Sequence, residues 1–148
     1  MTAVPDASRG GAVLYTPELL SLAVSLAHVP FDPSMPMAAE SRSRTCGSTV
    51  RISLSVDAEA RVERIGLQVT ACAVGQAAAA IFARSAIGRD QGGLRQARRM
   101  IADWLSNGSD VPAWPGLEAL AAAREYPARH GAILLSWDAA LAALSNTE

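Results

Sequence analysis

Two short runs of alternating apolar and polar residues near the middle of this chain constrain its fold more than any other feature. Apolar side chains occupy every second position of two runs, Val50, Ile52, Leu54 and Val56, then Ile65, Leu67 and Val69. A period of two predicts strands with one buried face, so the polar residues between them, such as Ser53, are predicted to face solvent. The short polar link D-A-E-A-R predicts that the two strands form an antiparallel hairpin.

The hairpin is flanked by the two cysteines of the chain, Cys46 and Cys72. Residues directly opposite each other in an antiparallel pair share a face, and the apolar pattern allows two registers. One register sets Cys46 opposite Ala73, and the alternative sets Thr45 opposite Cys72. Both registers bring the cysteines within one residue of facing each other, an offset that a bulge or a turn at Gly47 would correct.

Helical patterns lie on both sides of the hairpin. Thr16 as N-cap and Pro17 at the first position predict a helix that ends near His28, with an apolar face that includes Leu20 and Val24. Prolines break regular structure over residues 28–37, and the extended stretch 38–44 offers a third strand. Further helices are predicted over residues 73–88, 93–108, 116–124 and 133–144. This order predicts an α+β fold, a small antiparallel sheet with helices packed on one face.

Length and charge narrow the function classes. The 148 residues suffice for one domain, predicted over residues 13–148 after a disordered lead-in at residues 1–12. With 13 basic and 14 acidic residues the net charge is -1, so neither nucleic acid nor a membrane surface is an expected partner. The sequence shows no signal segment and no apolar run of membrane length, which makes a cytoplasmic location the default expectation.

The cysteines are the candidates for chemistry. In a reducing compartment, two cysteines are more often free thiols or metal ligands than a structural disulfide. Cys72 also begins a predicted helix, where backbone N–H groups and the helix dipole favour the thiolate form. The alternative is that Cys46 and Cys72 are small buried residues without a chemical role.

Three short motifs in order resemble the iron–sulfur cluster scaffold family of IscU, SufU and the NifU N-terminal domain. They are C-G-S-T-V from Cys46, A-C-A-V-G-Q-A around Cys72, and P-A-R-H-G-A-I-L-L-S-W from Pro127 to Trp137. The resemblance runs over most of the chain and implies the fold of that family. The absence of the L-P-P-V-K stretch of the IscU branch makes the chain more similar to the SufU branch.

The family's scaffold site uses three cysteines and one aspartate, and this chain departs from two of those positions. Ser48 stands in place of the aspartate. Aligned without a gap, Ala132 stands in place of the third cysteine. A register shifted by one puts Gly131 there and makes His130 the family's histidine. A simpler role for His130 is a partly exposed histidine that is hydrogen-bonded at a helix start.

The resemblance implies a cluster-assembly scaffold or carrier whose ligands are Cys46 and Cys72, with His130 as a further candidate. The cofactor it implies is a transient iron–sulfur cluster, of the 2Fe-2S type, or zinc. A cysteine desulfurase would deliver sulfur, acceptor proteins would take the cluster, and exogenous thiols or a second chain of a homodimer would supply the remaining ligands. The alternative is a degenerate paralogue that binds no metal and acts as an interaction or regulatory module.

An enzyme is the weakest hypothesis. The sequence contains no recognisable Ser-His-Asp motif, phosphate-binding loop or dinucleotide-binding fingerprint, and only Cys72 with His130 as a base would support catalysis. Trp104, Trp114 and Trp137 are all predicted to pack in the core or between helices. Trp114 lies between two prolines, and a partner surface is the alternative role for it alone.

Overall fold

A computed structural model describes residues 15–44 and 46–145 of the chain. Its regular elements are α1 (Pro17–Ser25), a 3₁₀ turn (Leu26–His28), β1 (Met37–Arg42), β2 (Thr49–Val56), β3 (Val62–Thr70), α2 (Ala73–Ala86), α3 (Gln91–Asn107), a 3₁₀ helix (Leu117–Glu125) and α4 (Pro127–Ser145). This order confirms the predicted α+β class. The lead-in predicted for residues 1–12 lies outside the described residues.

The three strands form one antiparallel sheet in the order β1-β2-β3. Leu54 lies opposite Ile65, the register that sets Cys46 opposite Ala73. A bulge interrupts the β2–β3 ladder between Ser55 and Val56, next to the hairpin turn, so it does not alter the strand ends that carry the cysteines. The structure therefore adopts one of the two registers that the hydrophobic alternation allows, and a slip by a single residue would expose the apolar face.

Helices α4 and α2 cover the inner face of the sheet. Val50, Ile52 and Leu54 of β2 are buried there, and α4 packs along β1 and β2 while α2 packs on β3. Helix α4 is buried over most of its length because its last four turns contain almost only apolar residues. Among the described residues, none of the helices combines the length and the apolar composition that crossing a membrane requires.

The outer face of the sheet is also partly covered, contrary to the prediction that Ser53 faces solvent. The segment before β1 crosses this face, and the backbone N–H of Asp32 donates to Ser53 Oγ at 2.9 Å. A Cβ atom at Gly66 would overlap the carbonyl oxygen of Pro30, so glycine is required where the segment crosses β3. Ser53 is fully buried as a result.

Helix α1 begins as predicted but is shorter and less buried. Thr16 Oγ accepts a hydrogen bond from the N–H of Leu19 at 3.1 Å, and the α-helix ends at Ser25, before the 3₁₀ turn. The predicted apolar face is wrong in part, because Leu20 and Val24 are 44% and 74% exposed. They lie four residues apart on one side of the helix, whereas the buried Leu19 and Leu22 lie on the side that packs against α2.

Trp114 is a core residue, as predicted, so the alternative that it marks a partner surface is wrong. Its side chain is 3% exposed, and Nε1 donates to the carbonyl oxygen of Ile81 at 3.0 Å. The indole stacks on Phe82 and meets Trp137 edge to face. This tryptophan therefore packs against α2 and not in solvent.

The N-cap of α3 provides a test of local stability. Asp90 Oδ1 accepts from the N–H of Gly93 at 2.8 Å. We expect Asp90→Ala to lower the free energy of unfolding by about 1 kcal/mol and Asp90→Asn by a few tenths, because asparagine also caps. Urea denaturation of the three proteins measures both effects. Equal stability of the alanine variant and the unmodified chain would show that this cap does not contribute.

Candidate functional site

Both cysteines line one open cleft of about 470 Å³ at the edge where β2 begins and β3 ends. We call it the cysteine cleft, and its lining consists of Cys46, Gly47, Ser48, Thr70, Ala71, Cys72, Ala128 and Arg129. The turn before β2, the start of α2 and the first turn of α4 therefore meet here. Two thiols separated in sequence share one solvent-accessible site.

Cys46 lies in the tight turn between β1 and β2. The N–H of Gly47 donates to the carbonyl of Ser43 at 3.0 Å, and the N–H of Ser43 donates to the carbonyl of Ser48 at 2.8 Å. Gly47 adopts a φ of +74°, which favours glycine, so the turn and not a bulge orients Cys46. The exposed Cys46 thiol lies 3.4 Å from Ser43 Oγ and 3.1 Å from Ser48 Oγ.

Cys72 is the N-cap of α2, with an extended backbone at φ -68° and ψ 173°. Its carbonyl accepts the N–H of Gln76 at 2.9 Å, the first bond of the helix. Its half-buried side chain makes no capping hydrogen bond to the helix backbone. Neither cysteine forms a disulfide, so both sulfur atoms remain thiols at the cleft.

Arg129, in the first turn of α4, lines the cleft together with Cys72. The interaction with the Cys72 side chain raises the pKa of the Arg129 guanidinium, burial opposes that rise, and Tyr15 adds a smaller contribution that also raises it. Arg129 therefore carries a permanent positive charge at the sulfur. This residue lies in the third motif, and no pattern in the sequence assigned it to the site.

His130 and Ala132 do not line the cysteine cleft. His130 Nε2 is 3.0 Å from the carbonyl oxygen of Arg124, and the residue does not line the cysteine cleft. Ala132 is 2% exposed, and a Cβ atom at Gly75 of α2 would lie 3.4 Å from the Ala132 Cβ. Within residues 15–44 and 46–145, no three His, Cys, Asp or Glu side chains come close enough to hold a metal ion.

Comparison with solved structures identifies two similar proteins. The N-terminal part of a NifU-like nitrogen-fixation protein from Brucella abortus is 26% identical, with a TM-score of 0.84 over 94% of this chain and 99% of that one. A candidate iron–sulfur cluster assembly scaffold protein for the SUF system from Fervidobacterium islandicum is 16% identical, with a TM-score of 0.76 over 88% of this chain and 96% of that one. No known family profile and no curated protein sequence matches the chain.

A likeness of this extent, over nearly the full length of both chains, defines an α+β protein of the NifU type. The motifs occur in the same order along this fold, which confirms the predicted resemblance to the family of IscU, SufU and the NifU N-terminal domain. Of the positions that depart from the family pattern, Ser48 lines the cysteine cleft, whereas Ala132 lies against Gly75 of α2.

Proposed function

We propose that this chain is an iron–sulfur cluster assembly scaffold or carrier that binds a cluster or metal through Cys46 and Cys72. The observation that carries this proposal is that both cysteines of the chain line one open cleft. In this proposal, residues 13–148 form one scaffold-like domain, and the protein transfers a cluster and is not an enzyme. The scaffold role of the SUF-type relative supports the proposal.

The two thiol ligands of this chain suit a cluster or metal ion that is bound only transiently. An iron–sulfur cluster or a tetrahedral zinc ion takes about four ligands, mostly thiolate, and this chain offers two. Because the cleft is open and Cys46 is exposed, exogenous thiols or a second chain in a homodimer have access to complete the set. His130 would serve as a ligand only after it releases the carbonyl of Arg124. A 2Fe-2S cluster or zinc held in this way is easily released.

The partners that this proposal requires follow from the cargo. A cysteine desulfurase would supply sulfur at the cleft, and an acceptor protein would remove the finished cluster. Both need access to the thiols, and the exposed turn at Cys46 and Gly47 provides it.

A metal-free interaction or regulatory module is the second candidate. It is favoured by Ser48 and Ala132, which supply no ligand, and by the lack of a three-residue ligand group in the described parts of the chain. The two candidate functions predict different results for the double variant that carries both Cys46→Ser and Cys72→Ser. Unchanged partner binding and unchanged metal content would reject the scaffold.

Restoring the family's ligands tests the proposal by gain of binding. Side chains of a helix tilt toward its N-terminus, so a sulfur introduced by Ala132→Cys would point toward the cleft residues Ala128 and Arg129. We expect Ser48→Asp with Ala132→Cys to bind zinc at least ~10-fold more tightly. Loss of even an outer partner of a metal ligand weakens binding by about 10- to 100-fold. Competition with a chelator measures the affinity.

Two matched variants test whether zinc affinity depends on where the new thiol lies or only on the number of thiols in the chain. Ser48→Asp with Gly131→Cys tests the shifted register. Ser48→Asp with Ser106→Cys adds a thiol on exposed α3, outside the cleft, and should leave zinc affinity near that of Ser48→Asp alone. If neither cleft variant binds zinc more tightly than this control, the cysteine cleft is not a metal site.

A further inference from the structure

Strand β1 is an open edge of the sheet. The opposite edge strand, β3, is covered in two places. Val62 exchanges two backbone hydrogen bonds with residues 88–89, and the N–H of Leu67 donates to the carbonyl of Val29 at 2.9 Å. In the part of the chain that the structure describes, no segment bonds in this way to the outer side of β1. Its unpaired backbone groups are therefore a template for a further strand.

The hydrogen-bond pattern shows which residues of β1 point away from β2. The N–H of Ser43 donates to the carbonyl of Ser48 at 2.8 Å, and the residues that bond to a neighbouring strand alternate in an antiparallel ladder. Every second residue back from Ser43 therefore bonds to β2. The residues between them direct their N–H and C=O groups outward, and all have exposed side chains: Ala38, Glu40 and Arg42.

Two opposite charges lie on these outward positions. Within the described residues, neither Glu40 nor Arg42 forms an ion pair or a side-chain hydrogen bond. Arg51 lies opposite Glu40 on β2, but it donates to Gln68 of β3 at 3.2 Å and lies over the ring of Phe31. Because Arg51 is held on the side of β3, the carboxylate of Glu40 remains available at the open edge.

These charges favour one register for two β1 strands that pair about a two-fold axis. Outward residues have to face outward residues, because only they hold free N–H and C=O groups. One such register sets Glu40 of each copy opposite Arg42 of the other, so the same attractive pair forms twice around Ser41. A shift by two residues in either direction sets Glu40 against Glu40 or Arg42 against Arg42, and like charges repel there.

We propose that two copies of this chain pair through β1 and join their sheets into one continuous antiparallel sheet. The partner at this edge is a second copy, because the charges of β1 complement those of an identical strand that runs in the opposite direction. The inference goes beyond the proposed function, since the pairing requires neither a cluster nor a metal ion.

A dimer of this kind keeps the two cysteine clefts apart. Cys46 lies in the turn that follows β1, so antiparallel pairing around Ser41 sets the two turns at opposite ends of the joined strands. The two copies then do not pool their thiols, and each cleft stays open to solvent. For the proposed function, exogenous thiols and not the second copy would complete the ligand set.

The test measures self-association of the full chain by sedimentation equilibrium, with a chelator and a thiol reductant present. A strand of six residues makes a small interface, so we expect a weak, reversible dimer between micromolar and millimolar protein. Glu40→Arg and Arg42→Glu should each raise the dissociation constant at least about tenfold, because symmetry turns two attractions into two repulsions.

Charge exchange provides the matched controls. The double variant that carries both Glu40→Arg and Arg42→Glu should dimerise as tightly as the unmodified protein, because opposite charges again face each other. An equimolar mixture of the two single variants should form a heterodimer of similar affinity, although each variant alone associates weakly. Circular dichroism of each variant verifies that these exposed substitutions leave the fold intact.

Hydrogen exchange separates this interface from any other dimer contact. The amides of Glu40 and Arg42 should exchange more slowly as protein concentration rises, whereas exchange at Gly92, an exposed residue in the first turn of α3, should not change. A chain that stays monomeric at millimolar concentration, or a dimer that Glu40→Arg does not weaken, would overturn the inference. Either result leaves the scaffold proposal intact, and a failure to bind metal leaves the β1 dimer intact, because every measurement is made without metal.

Discussion

Serine in place of either Cys46 or Cys72 is expected to abolish binding of iron–sulfur cluster or zinc. The cleft supplies two thiols, and a serine hydroxyl stays protonated at neutral pH and is a poor ligand for these metals. One remaining thiol would have to hold the cargo with three ligands from elsewhere. Metal per chain, measured by elemental analysis after gel filtration, should fall to background in both single variants.

Two comparisons make this result specific to the cleft. Ser106→Ala changes an exposed position of α3, and this variant should bind the same amount of metal as the unmodified protein. His130→Ala tests whether a third ligand lies within the chain, since a loss of metal there would assign His130 to the site. Full metal content in the Cys46→Ser, Cys72→Ser double variant would reject the cysteine cleft as the binding site.

Trp137→Ala is expected to have the largest effect on stability. The indole is fully buried and meets both Phe82 and Trp114 edge to face at centroid distances of 5.2 Å. Its removal leaves a cavity between α4 and α2 and should cost about 3–5 kcal/mol. Because domains are stable by about 5–15 kcal/mol, this is a large share of the total. Chemical denaturation with fluorescence and circular dichroism measures the loss.

Phenylalanine substitutions separate packing from hydrogen bonding in the same cluster. Trp137 Nε1 is buried without a hydrogen-bond partner in the described structure, whereas Trp114 Nε1 donates to Ile81 at 3.0 Å. Both substitutions remove a similar volume, but only Trp114→Phe removes a hydrogen bond. We therefore expect Trp114→Phe to cost about 1 kcal/mol more than Trp137→Phe. The reverse order would show that an unseen partner satisfies Trp137.

The sheet was predictable because its information is local. Alternation placed Val50, Ile52 and Leu54 on the buried face and left two registers, of which the structure adopts the one that pairs Leu54 with Ile65. Burial of Ser53 was not predictable, because it depends on a proline-rich segment that crosses the outer face from elsewhere in the chain. A strand pattern reports which face is apolar and does not report what covers the other face.

The cysteine cleft, like the sheet, was predictable only where it depends on the strand pattern. The hairpin register predicted that Cys46 and Cys72 approach each other, and both line one cleft. The contribution of α4 could not be derived, because the position of Arg129 beside Cys72 depends on how α4 packs against the start of α2. Hydrophobic patterning predicts that a helix packs on a sheet. It does not predict which residue in the first turn of that helix lies next to a particular sulfur.

The central claim, that the cysteine cleft carries a cluster or metal, is tested most directly by the cargo itself. The protein would be purified anaerobically, and its iron, zinc and acid-labile sulfide measured before and after incubation with iron, cysteine and a cysteine desulfurase. The proposed function predicts metal or cluster in a fixed ratio to protein. A folded protein that stays free of metal and sulfide throughout would contradict it and favour the metal-free interaction module.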